Sequence, residues 1–194
     1  MKQPVALTLM FAAVLLPRAS AAEKIEDFLG LKFGANPAIA TEAMLARGCK
    51  LKDANTPDTL TFSDGTFAGE RITELLLHFA AERFDIATVT VKFSTGKSDD
   101  KGIALYDTIR KSLTDKYGPP TSAPATARGR NFIEKARASQ LETIWQSKDA
   151  LKGEHRSITL RVPGIGMYDW TFKVIYQDHH ASGAKNVRAP RKDI

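Results

Sequence analysis

The sequence predicts an α+β fold: an antiparallel sheet of about six to seven strands with two helices on one face. Three observations predict it. Two neighbouring runs, RITELLLHF and FDIATVTVKF, alternate apolar and polar residues with period two. Residues 36–48 and 98–118 carry helix-start and helix-stop residues around apolar stripes. The order helix, strands, helix, strands contains no crossover that would require a parallel sheet. It is the order of a helix-plus-meander unit used twice, although the two halves do not match residue by residue.

The first helix follows Asn36, whose side chain suits an N-cap, has Pro37 at its first position and stops at Gly48. Ile39, Met44 and Leu45, with Ala40 and Ala43, give it an apolar side. TLTF and TFAG flank Ser63-Asp64-Gly65, a turn signature between two short strands that are expected at a sheet edge. In the alternating runs Thr73, Leu75, Leu77 and Phe79 share one face, and so do Ala87, Val89, Val91 and Phe93. This predicts a hairpin turning at residues 80–83. The opposite face, with Glu74, His78, Thr88, Thr90 and Lys92, is wetter, and Leu76 and Ile86 blur the division.

The second helix starts at Ser98, with Asp99 and Asp100 beside its positive end, and stops at Gly118 before Pro119-Pro120. Ile103, Tyr106, Ile109, Leu113 and Tyr117 recur at three- and four-residue steps and face the sheet. Residues 119–140 read as a long Pro/Ala/Ser-rich connection without a period. LETIWQ, SITLRV and WTFKVIYQ then read as three strands that extend the sheet. Trp145, Ile158, Leu160, Trp170, Phe172, Val174 and Tyr176 are placed for a core or for a face awaiting cover.

Composition bounds the address. Lys2, twelve mostly apolar residues from Val5 to Leu16, and small residues ending in Ala21 and Ala22 form a secretory signal over residues 1–22. The apolar run is shorter than the roughly 20 residues that cross a bilayer, so no transmembrane segment is expected. No cysteine stands at the cleavage site to take a lipid, so the expected address is periplasmic or secreted. The expected organisation is one domain over 23–178, with 179–194 as a disordered basic tail. The formal charge of +6 divides into +2 in the leader, +3 in the tail and +1 between them. A nearly neutral body excludes nucleic acid as the expected partner and leaves the tail a weak attraction for anionic surfaces. Cys49, the one cysteine, has no intramolecular disulfide partner and is expected to be buried and inert.

Catalysis needs a nucleophile, a base and an orienting partner. His78 on the wetter face and His155 beside a turn are expected as solvated or hydrogen-bonded histidines rather than bases. Gly164-Ile165-Gly166 precedes a strand and lacks the helix that would hold a phosphate. Metal-ligand spacings are missing, so neither a metal nor a cofactor is expected. Binding is the stronger expectation. Ile165, Met167, Tyr168 and Trp170 crowd a loop with two glycines, and Arg128, Arg130, Lys135 and Arg137 make the 119–140 connection basic. The alternative for Met167 and Tyr168 is that they tuck under the sheet end, and for the basic residues that they are a solvated loop.

LGLKFGANPAIATEAM, FAG followed by LLLHFAAERFDIATVTVKF, LTDKYGPP and the closing T-x-W and strand resemble largely uncharacterised families of small exported bacterial α+β proteins, over roughly residues 27–177. The outline is similar to the small lipoprotein of the outer-membrane barrel-assembly machine and, more distantly, to β-lactamase inhibitor proteins. The resemblance implies a helix-plus-sheet unit acting by protein–protein contact, and it brings no catalytic residues. The expected role is thus a non-catalytic adaptor that binds an envelope protein. The competing expectation is a small-ligand or envelope-polymer binder using the sheet face around His78 and Lys92. An enzyme, the third, would need His78 or His155 beside a carboxylate in a cleft.

Overall fold

Period-two runs become sheet, and apolar stripes bounded by caps become helix, over most of the chain. The computed structural model describes residues 24–52, 56–94, 99–124, 130–138, 140–149, 154–166 and 169–180. Residues 1–23, Ser98, Arg128, Met167, Tyr168 and residues 181–194 lie outside them. In chain order the elements are β1 (Asp27–Phe28), β2 (Leu31–Lys32), α1 (Pro37–Leu45), β3 (Cys49–Leu51), β4 (Thr59–Asp64), β5 (Thr66–Phe67), β6 (Glu70–Arg71), β7 (Glu74–Ala80), β8 (Arg83–Ser94), α2 (Asp99–Tyr117), α3 (Arg130–Arg137), β9 (Glu142–Asp149), β10 (Glu154–Ile165) and β11 (Asp169–Asp178). One seven-stranded sheet runs β3-β4-β7-β8-β11-β10-β9, antiparallel throughout, and β1–β2 and β5–β6 form two small hairpins. The class is α+β, as expected.

In the sheet α1 is followed by the antiparallel run β3-β4-β7-β8, and α2, with α3 after it, by the meander β9-β10-β11. The closing strands β8 and β11 pair at the centre, with Val89 opposite Val174 and Val91 opposite Phe172. The β7–β8 hairpin turns through Ala81 and Glu82, both at positive φ (50° and 61°), so its twist matches that of the strands. No Asn-Gly or Asp-Gly marks this turn; the apolar register of Leu75 against Val89 and Leu77 against Ala87 specifies it instead.

All three helices cover the same face. Leu75, Leu77, Phe79, Ala87, Val89, Val91, Ile158, Leu160, Trp145, Phe172, Val174 and Tyr176 meet the helices in one core. From α2 come Gly102, Leu105, Tyr106, Ile109, Leu113 and Tyr117, and the helix stops at Gly118, where φ is +80°. Ile103, expected among them, is half-buried at the edge of that core. Each large side chain so buried contributes about 1.5–3 kcal/mol relative to exposure. The polar tips are satisfied: Tyr106 Oη and Thr143 Oγ1 are 2.6 Å apart, and Trp145 Nε1 donates to the Gly118 carbonyl at 3.0 Å.

Three expectations are corrected. In α1 the Asn36 side chain caps Ile39 N–H at 2.9 Å, as expected, but Ile39 and Leu45 stand 53% and 50% exposed. A nine-residue helix buries only a narrow stripe, here Ala40 and Met44 at i and i+4. The Ser63-Asp64-Gly65 turn does lie between two short strands, with positive φ at Asp64 and Gly65, but β4 is not an edge strand: it pairs with β3 and β7, while β5 pairs with β6. Two residues of β5 cannot compete with the apolar face of β7, on which Phe62 lies opposite Leu75. Finally, the connection 119–140 contains α3, anchored by Phe132 and Ala136 at i and i+4. Two anchors in eight residues are too few for a period to show.

Candidate functional site

The structure gives the residues that the sequence singles out different surroundings. Trp170 is fully buried: it stacks on Phe132 at 6.1 Å and on Phe172 at 5.8 Å, and its Nε1 donates to Asp99 Oδ1 at 3.3 Å. This corrects the reading of Trp170 as part of a partner surface, and it gives Asp99 a structural task. Ile165 closes β10 half-buried against the core, while Met167 and Tyr168 lie outside the described residues. Of the basic group, Arg128 lies outside them too, Arg130 begins α3, and Lys135 and Arg137 sit in its last turn half-buried and exposed. The stack of Phe132 on Trp170 places α3 beside the start of β11.

What the register does assemble is the opposite face of the sheet. With Val89 and Val91 pointing into the core, Thr88, Thr90 and Lys92 point away from it, and the pairing carries this face across six strands. Its middle row is Thr61–Leu76–Thr88–Ile175–Thr159–Ile144. One flanking row is Thr59–His78–Ile86–Gln177–Ser157–Gln146, and the other is Glu74–Thr90–Lys173–Arg161–Glu142. Leu76 and Ile86, which blur the division in the sequence, are members of this face. Leu76, Thr88, Ile175, Thr159 and Ile144 are half-buried by their flat neighbours, and the helices lie on the other side. Beside Lys92 a cavity of about 400 Å³ is lined by Ser63, Asp64, Arg71, Ile72 and Thr73. Arg71 and then Lys50 hold Asp64 below the usual carboxylate range.

His78 Nδ1 lies 2.7 Å from Oδ1 of Asp85, a carboxylate only 1% exposed. The pair sits where a bulge interrupts the β7–β8 register at His78 and Phe79. A base with an orienting carboxylate is thus present, but no described hydroxyl or thiol is within hydrogen-bond distance of the other imidazole nitrogen, so a nucleophile is not assembled there. Cys49 is buried beside Gly65, and burial raises its thiol pKa, which disfavours the thiolate. Among the described residues no three His, Cys, Asp or Glu side chains group to hold a metal, and no described helix is long and apolar enough to cross a membrane.

His155 and His179 stack at the sheet end, ring centroids 4.6 Å apart, with Ser157 Oγ 2.9 Å from His179 Nε2. Burial first, and then His155, lowers the His179 pKa from its ordinary 6.5, against the pull of Asp178. Because the folded value is the lower one, the unfolded chain takes up the proton first. The stabilising contribution is therefore complete above about pH 6.5 and is lost as pH falls through that value toward the folded one. The melting temperature is expected to drop as pH falls below about 6.5, and His179→Gln should flatten that drop. Equal slopes for the two proteins would contradict the assignment. Asp64, whose depressed carboxyl stabilises above its ordinary 3.8, acts in a lower window and does not confuse the test.

Comparison with protein-family models, with characterised proteins and with solved structures finds no match to this chain. Its function is therefore argued from these residues.

Proposed function

We propose that the chain is a non-catalytic protein-binding module of the bacterial cell envelope, docking its partner on the open face of the sheet. The observation that carries this reading is the row Leu76–Thr88–Ile175–Thr159–Ile144, three aliphatic side chains and two threonines, on a face opposite the helices. Six strands at about 4.8 Å and some six residues at about 3.4 Å give a face of roughly 24 by 20 Å. That is close to 500 Å² on one partner, the size of a small or transient interface. Threonines and isoleucines fixed by the sheet lose little side-chain entropy on contact. The signal-like leader and the resemblance to exported helix-plus-sheet proteins support an envelope address.

A photo-crosslinking residue at the position of Thr88, in intact cells, is expected to give one defined protein adduct. The same residue at Ser112, exposed on α2, should give none. Ile175→Lys, which keeps a half-exposed position solvated, should cut the Thr88 adduct by about tenfold or more without unfolding the protein. Adducts of equal yield from both positions, or an adduct indifferent to Ile175→Lys, would remove the docking face. The cavity of about 400 Å³ beside Lys92 favours a second reading, a small-ligand or polymer binder on this same face. It predicts a ligand-dependent rise in melting temperature that Lys92→Ala abolishes.

A further inference from the structure

We infer that the flanking row of the open face through Thr90, Lys173 and Arg161, with Lys92 beside it, is a binding site for a single oxyanion group, a carboxylate or a phosphate, held by the three cations and the hydroxyl of Thr90. The inference rests on the reading of this face as the docking surface and names the chemistry its partner presents. Arg161 and Lys173 are directly opposite each other on β10 and β11, and Lys173 is directly opposite Thr90 on β8. Lys92, two residues along from Thr90, shares its face and lies diagonal to Lys173. Like charges directly opposed across strands destabilise a sheet unless something between them is negative.

Nothing in the described chain supplies that charge. Glu74 and Glu142 end the row and Asp169 lies diagonal to Lys92, yet none of them is within ion-pair distance of Lys92, Lys173 or Arg161. Glu74 is instead 4.0 Å from Lys52. Thr90 is only 5% exposed, and its Oγ1 has no hydrogen-bond partner. A buried hydroxyl left unpaired carries a desolvation cost, so its retention beside three cations points to an acceptor that arrives from outside. The three cations offer donors only and the Thr90 hydroxyl can donate as well, a set that an oxyanion matches. The ring of Glu74, Glu142 and Asp169 around them repels an extended polyanion and admits one compact group.

The test follows the backbone amide resonances of the purified protein on titration with inorganic phosphate and, separately, with glutarate, at constant ionic strength set by sodium chloride. Saturable shifts are expected at Thr90, Lys92, Arg161 and Lys173. Lys173→Met and Arg161→Met should each weaken binding by about tenfold or more, and Lys111→Met on α2 should leave it unchanged. Thr90→Val should weaken binding several-fold while raising the melting temperature of the unliganded protein, a combination that a purely structural threonine would not give. Saturation by phosphate alone assigns a phosphoryl group, and by glutarate alone a carboxylate. Shifts that do not saturate with either anion, or that persist unchanged in Lys173→Met, overturn the inference. The two readings fail separately: a Thr88 crosslink without a saturable anion site leaves docking standing, and a saturable site without the crosslink leaves only the anion site.

Discussion

Trp170→Ala is expected to cost about 3–5 kcal/mol, a large part of the roughly 5–15 kcal/mol that a domain of this size possesses. The indole is fully buried between Phe132 of α3 and Phe172 of its own strand, and helix α2 crosses it at Gly102. A Cβ on Gly102 would come within 2.4 Å of the indole Cδ2 and 2.7 Å of Cε3. Gly102→Ala should therefore destabilise by about 1–3 kcal/mol from overpacking, less the roughly 1 kcal/mol that alanine returns in a helix. Urea denaturation of both variants measures the effects. If Trp170→Ala moved the midpoint by less than the equivalent of about 1 kcal/mol, the indole would not be the joint between helices and sheet, and a surface role would return.

Val91→Asp is expected to cost about 4 kcal/mol or more, against less than about 1 kcal/mol for Lys92→Ala. The residues are adjacent, and only the alternation of the strand separates them. Val91 is 2% exposed and opposite Phe172 on the core face, where a carboxylate would be desolvated with no cation to meet it. Lys92 points to the open face, makes no ion pair with a described carboxylate, and loses little when shortened. Melting curves decide the matter, because a register shifted by one residue would exchange the two results.

Much of this was legible in the chain itself. Leu75, Leu77, Ala87, Val89 and Val91 declare a half-buried hairpin because side chains alternate across a strand whatever the strand pairs with. Asn36, Pro37, Gly48 and Gly118 mark helix ends because the orphaned backbone groups there, and the positive φ of the glycines, are local requirements. The burial of Trp145, Phe172, Val174 and Tyr176 likewise follows from alternation along their own strands.

Other features were decided by partners remote in sequence. That β4 takes an inner place in the sheet against β7 depends on which neighbour buries more apolar surface. That Phe132 and Ala136 make a helix depends on Trp170 and Tyr106 waiting beneath Phe132, since eight residues with two anchors are not stable alone. The candidate site belongs to the same class. Thr90, Lys92, Arg161 and Lys173 come from three strands, and only Thr90 and Lys92 stand out in the sequence, as polar members of an alternating run. Alternation tells each residue which face of its own strand it occupies. The register between β8, β11 and β10 tells it which residues it meets there, and that register is set by the packing of the opposite, buried face.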